Sequence, residues 1–205
     1  MTDSESVFEQ TYKHYLAQIS QLNLKDLQET LDIHVHDNEA IIDVFGQPHR
    51  VSGKGIFGPS NIRPTFDICI ILSKYILLCP DLLPRKTGWV SYRDFKDSGP
   101  LLKFYANDVE KPIANRFTGK IKALNEAGTT IGGYKPDIDI SYDFSMQFDV
   151  LPRIPLLLLF NDSDKEFPAA CSVLFQSDAE KYLDAECLSM VGVLLNRRLK
   201  KAIKV

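Results

Sequence analysis

The residues best suited to chemistry fall in two acidic segments. In Asn161-Asp162-Ser163-Asp164-Lys165-Glu166 three carboxylates stand at two-residue spacing between an apolar run and Phe167-Pro168. Oxygen-rich loops of this kind bind hard cations such as magnesium, manganese or calcium. An EF-hand is excluded, because Phe167 stands where that loop needs Gly and Val173 where it needs Glu. Asp137, Asp139 and Asp143 form the second group, just after Gly132-Gly133. A strand through residues 138–144 would point all three aspartates to one face. If that face met the first segment, two close carboxylates would part in pKa into an acid and a base. Asp139, Asp162, Asp164 and Glu166 are thus the candidate metal ligands of a metal-assisted hydrolytic enzyme. The competing reading is a pair of solvated acidic stretches whose aspartates make local side-chain turns.

A second set is aromatic and basic. Trp89, Tyr92 and Arg93 stand together, and Arg153 lies between Pro152 and Ile154. A guanidinium clamps a carboxylate or phosphate through two parallel hydrogen bonds, and an indole can floor a pocket. Trp89, Arg93 and Arg153 are therefore the candidate ligand-binding residues, set against the plainer reading of a core aromatic beside structural ion pairs. His34 and His36 have a metal-ligand spacing, yet no third ligand is identifiable. Ser52-Gly53-Lys54-Gly55 lacks the spacing of a phosphate-wrapping loop, and neither a nucleophile elbow nor a dinucleotide fingerprint is present.

Composition narrows the function classes. Lys and Arg total 24 against 27 Asp and Glu, a net charge of -3, so no sequence-wide attraction draws the chain to nucleic acid or anionic lipid. The basic cluster Arg197, Arg198, Lys200, Lys201 and Lys204 reads as complementing the negative end of a C-terminal helix. Cys69, Cys79, Cys171 and Cys187 are scattered. They form neither an iron–sulfur nor a zinc motif, and they suit a reducing compartment. The opening MTDSESVFEQ lacks the basic and apolar regions of a secretion signal. The longest apolar stretch, residues 66–79, is too short to span a bilayer. The expectation is a cytoplasmic protein.

The elements that must position these residues follow from periodicity. Val7, Phe8, Tyr12, Tyr15, Leu16 and Ile19 stand at helical steps, predicting an amphipathic helix over residues 6–21. Leu24, Leu27 and Leu31 suggest a short second helix. From Leu31 the period becomes two, and Asp37-Asn38 turns the chain into a hairpin ending near Phe45. Glycines and prolines over residues 46–59 read as loop with one short strand. Residues 66–79 are apolar nearly all round, as in a buried central helix. Helices are predicted over residues 100–106 and 109–127, with Gly128 as a C-cap. Strands follow over residues 138–144, 146–151 and 171–175, and the continuous apolar run Pro155 to Phe160 reads as a strand covered on both faces. Ser177 and Glu180 have capping-box spacing for a last helix, with a break near Asp184. At 205 residues the chain is expected to be a single domain spanning 1–205. Its class is α+β, a mostly antiparallel or mixed sheet packed against a buried central helix and several amphipathic helices.

With these segments laid out, the chain resembles the prokaryotic domain-of-unknown-function family 3786. The resemblance rests on ILSKYILLCP, GWVSYRDF, IGGYKPDIDIS, LPRIPLLLLFNDSDKEFPA and LFQSDAEKYLDAE. It implies a stand-alone cytoplasmic protein of bacteria and archaea to which no activity is attached. It also implies that some relatives carry an added cysteine-rich segment suited to an iron–sulfur cluster, from which this chain departs. The function expected on this footing is a non-catalytic small-molecule or cofactor-binding module or accessory protein. The alternatives are the metal-assisted hydrolase and a protein-interaction subunit, for example a homodimer.

Overall fold

A computed structural model describes residues 3–85, 88–138 and 141–203. Helix α1 (Asp3–Ile19) packs against α3 (Phe66–Leu77). The Tyr12 hydroxyl accepts the Ile56 backbone N–H at 2.9 Å, which ties α1 to the first sheet. A 3-10 turn, Leu24–Leu27, leads into α2 (Gln28–Leu31), which stops at Asp32 with a φ of 56°.

The first sheet is an antiparallel meander of β1 (His34–His36), β2 (Glu39–Val44), β3 (Gln47–Ser52) and β4 (Gly55–Phe57). The turn expected at Asp37-Asn38 is present. Both residues have positive φ, and so do Phe45 and Gly46 between β2 and β3. Two-residue loops of this handedness match the twist of the strands they join. The residues expected to be mostly loop beyond Gly46 form two strands, not one. Their glycines and Pro48 punctuate a tight meander, while Val51 and Ile56 face the core. Strand β1 is shorter than the alternation suggests, because Leu31 and Asp32 close α2.

Helix α3 buries Cys69, Ile71, Leu72, Tyr75 and Ile76, as expected of a central helix. The second sheet is also antiparallel, in the order β5-β8-β7-β6, with β5 (Trp89–Ser91), β6 (Phe144–Leu151), β7 (Ile154–Asn161) and β8 (Ala170–Gln176). Strand β7 is buried from Ile154 to Phe160, so its unbroken apolar run is explained by cover on both faces. Of the strand expected over 138–144, residues 139 and 140 lie outside the described residues and 141–143 are not strand, while β6 starts at Phe144 and takes in the strand expected over 146–151; Asp137 and Asp143 lie outside it. The outer edge of β6 is bridged at mid-length by Tyr134. Tyr134 donates its N–H to the Gln147 carbonyl at 3.0 Å and accepts the Gln147 N–H at 2.8 Å.

Helix α4 (Leu102–Tyr105), a π turn (Ala106–Glu110) and α5 (Lys111–Phe117) run on without a break, followed by α6 (Ile121–Thr130). Gly128 lies inside α6 rather than capping it, because a Cβ there would overlap the Met146 sulfur on β6. Helix α7 (Ala185–Ala202) packs on α3, α6 and the π turn. Its N-cap is Asp184, which accepts the Cys187 N–H at 2.9 Å, so the break expected there is the true helix start. Ser177 starts no long helix. Glu180 lies in a 3-10 turn and accepts the Lys96 N–H at 3.1 Å, and a reciprocal capping box is found instead at Ser91 and Asp94. Of the terminal cations, Lys200 and Lys201 occupy the last turn of α7. Arg197 pairs with Asp67 at 2.6 Å, and Arg198 lies over the Phe45 ring at 4.7 Å. A continuous buried cluster joins α3, both sheets and α7. Among the described residues no helix is long and apolar enough to cross a membrane.

Candidate functional site

Strand β5 pairs with β8 only from Leu174 to Gln176, so the edge of β8 runs on past it unpaired by backbone. Side chains from the helix above close that edge at Val173. The Tyr105 hydroxyl donates to the Val173 carbonyl at 3.3 Å, and Glu110 Oε1 accepts the Val173 N–H at 3.2 Å. Tyr105 and Glu110 are five residues apart. In a regular α-helix they would be turned about 140° from each other, whereas the i→i+5 repeat of a π turn brings them toward one side. The cause of the π turn is visible in the sequence as Pro112. A proline in a continuing helix has no N–H for the carbonyl four residues back. That carbonyl, on Asp108, is taken by Asn196 Nδ2 of α7 at 2.7 Å, and Arg116 Nη1 donates to Asn196 Oδ1 at 2.7 Å.

Beside Glu110 lies a cavity of about 160 Å³ bounded also by Ser91, Tyr92, Arg93, Tyr105 and Ala106. Its floor is aromatic: the Tyr92 and Tyr105 rings stack with centroids 4.2 Å apart and planes 9° from parallel. The Tyr105 ring reaches this place because Gly192 of α7 presents no Cβ, which would stand 2.7 Å from the ring. Burial raises the Glu110 carboxyl above its ordinary pKa, with the Val173 N–H and the Arg93 charge drawing it partly back. Burial likewise pushes up the neighbouring Cys171 thiol, with the Glu110 charge adding to the effect, so the sulfur stays protonated. Among the described residues Arg93 makes no ion pair, so a carboxylate and a guanidinium-bearing residue line one small space and interact across it without direct contact.

The remaining expected binding residues are dispersed. Trp89 is half-buried on β5. Arg153, in the turn between β6 and β7, donates to the Thr30 carbonyl at 3.1 Å and the Glu29 carbonyl at 2.7 Å, closing the C-terminal end of α2. Its backbone N–H is accepted by the Tyr75 hydroxyl at 3.2 Å, and that hydroxyl donates to the Leu31 carbonyl at 2.7 Å.

The two acidic segments do meet. Asp143 Oδ2 accepts the Asp162 N–H at 2.8 Å, and both line a hollow of about 670 Å³ with Asp164, Tyr142 and Phe167. The carboxylates are largely engaged with backbone. Asp162 Oδ1 accepts the Gly119 and Ser163 N–H groups at 2.7 and 2.8 Å. Asp164 Oδ1 accepts those of Phe167 and Glu166, which hold its carboxyl below the usual range. Glu166 is exposed, and Asp139 lies outside the described residues. Among the described residues no group of three His, Cys, Asp or Glu side chains is arranged to hold a metal. His34 and His36 are exposed on β1, and His36 Nδ1 stands 3.1 Å from Asp37.

A larger cavity, about 450 Å³, lies between α1 and the start of α3, lined by Phe8, Tyr12, Phe66 and Cys69. Its polar groups are satisfied within the protein: Glu9 pairs with Arg63 at 2.6 Å, and Arg63 lies over the Tyr12 ring at 5.0 Å. Burial pushes the Cys69 thiol up to about 11. Nothing in the sequence singles out Glu110, because it adjoins the buried Val109 in a run that reads as ordinary amphipathic helix. Pro112 was the available signal that the turn before it is irregular.

Neither the curated proteins nor the solved structures give a significant match to this chain. A family model does: Domain of unknown function (DUF3786) matches residues 23–198, which covers every element except α1 and the last turn of α7. The chain therefore belongs to that family.

Proposed function

We propose that this protein is a non-catalytic small-molecule-binding module, working in the cytoplasm, whose site is the cavity between β5 and the π turn. The observation that carries the reading is that Glu110 and Arg93 line one small aromatic-floored space with no ion pair between them. Few convergent polar groups in a concave, partly apolar site are what small-molecule recognition uses. Of the residues named from sequence, Arg93 lines this cavity, and Trp89 stands on β5 just before the 3-10 turn that carries Arg93. Arg153 lies outside it, on the C-terminal end of α2. A volume of about 160 Å³ suits a ligand of a few heavy atoms, since a water's share of liquid volume is about 30 Å³. The test is a thermal-shift and ligand-observed NMR screen of small polar metabolites against the wild type and Ala106→Leu, which fills the cavity. At least one compound should stabilise the wild type and lose its effect on the variant. Hits that act equally on both proteins, or an absence of hits, would overturn the reading.

The contact between Asp143 and Asp162 favours a second reading, metal-assisted hydrolysis by Asp139, Asp162, Asp164 and Glu166, of which Asp162 and Asp164 line the acidic hollow. Calorimetry with magnesium, manganese, calcium and zinc tests it. Saturable binding that disappears in Asp164→Ala is the expected result, and its absence removes the metal from the account.

A further inference from the structure

We infer that the cavity beside the π turn takes a small zwitterion of the amino-acid type, its ammonium group on Glu110 and its carboxylate on Arg93. The inference rests on the binding reading above and names the ligand class. Three observations carry it. First, Glu110 is pinned rather than mobile: Oε1 holds the Val173 N–H at 3.2 Å, which leaves Oε2 as the acceptor for an incoming donor. Secondly, Arg93 lines the same cavity and acts electrostatically on Glu110, yet forms no ion pair among the described residues. A guanidinium binds a carboxylate through two parallel hydrogen bonds, and a ligand carrying both charges would bridge the gap that the two side chains leave open. Thirdly, a ligand with one charge would satisfy one side of the site and leave the other as it was. A zwitterion meets both at once, its carboxylate on the guanidinium and its ammonium on the carboxylate. The stacked Tyr92 and Tyr105 rings supply an apolar floor for the carbon between the two charged groups.

The experiment is a two-dimensional amide NMR titration of the full chain with glycine and L-alanine, and separately with methylammonium and acetate. Saturable shifts at Val173 and Ala106 with the amino acids are expected. Affinity should be at least about tenfold weaker in both Glu110→Gln, which can still accept the Val173 N–H, and Arg93→Gln, whose side chain is exposed. Unchanged spectra elsewhere in the two variants show that they fold. If methylammonium binds as tightly as alanine and Arg93→Gln has no effect, the site is a cation site and the zwitterion is overturned while the binding module stands. Acetate binding as tightly, with Glu110→Gln silent, overturns it in the same way. No shift with any of the four probes also overturns it, and the metabolite screen then decides separately whether the cavity binds anything.

Discussion

Glu110 shows how one half-buried acid couples site and stability. Its carboxyl titrates higher in the folded chain than its ordinary value because burial disfavours the charge. A raised folded pKa contributes stability that is full below the unfolded pKa and is lost as the pH rises through the folded one. Glu110→Gln should therefore melt higher than the wild type at pH 7, and the difference should vanish below the unfolded pKa of Glu, about 4.3. Thermal melts across that range check the sign. Tyr75 is the opposite case, a buried group whose removal costs. Its hydroxyl serves the Leu31 carbonyl and the Arg153 N–H together. Tyr75→Phe leaves both unsatisfied and should cost about 1–3 kcal/mol in denaturant unfolding. The sequence marks Arg153 as distinctive but not why. A guanidinium that closes a helix end more than a hundred residues away has no local signature.

At the scale of elements, periodicity located α1, α3, β7 and β8 well, because each has one dominant apolar face or run. It failed where two elements share one role. Helices are expected over residues 100–106 and 109–127, whereas the chain runs unbroken from Leu102 to Phe117 through the π turn and breaks instead before Ile121, and the glycine-rich stretch after Gly46 conceals two strands. A strand is expected over residues 138–144, yet residues 141–143 lie outside any strand, because alternation says nothing about whether a neighbour exists to pair with. Close approach between elements is equally invisible in sequence. Gly192 admits the Tyr105 ring against α7, so Gly192→Ala should displace the ring from Val173. The expected loss is about 1–3 kcal/mol, with faster amide exchange at Val173 and weaker binding at the cavity as the readouts that separate it from a generic defect.

The whole molecule hinges on the place where its two sheets and last helix meet. The Phe45 N–H donates to the Val150 carbonyl at 3.0 Å, its ring makes an edge contact with Phe148 at 6.4 Å, and Arg198 covers the other side. A large residue with a φ of 52° is an uncommon choice, which these contacts compensate. Phe45→Ala should cost about 3–5 kcal/mol. If the chain is a single domain, calorimetry of the wild type should give one transition with equal calorimetric and van't Hoff enthalpies. The variant is expected to melt in two steps, as the sheets lose their common joint.

The Tyr134 bridge governs how the protein behaves at high concentration. Most sheet borders here are short: β1, β4 and β5 have three residues each, too few to template growth. Only β6, with eight, is long enough to recruit another molecule, and Tyr134 plugs the middle of its open side. Tyr134→Pro withdraws the N–H donor and frees a row of hydrogen-bonding groups. Such a variant should polymerise into thioflavin-positive fibrils on storage while the parent stays clear, making one tyrosine the guard of colloidal stability.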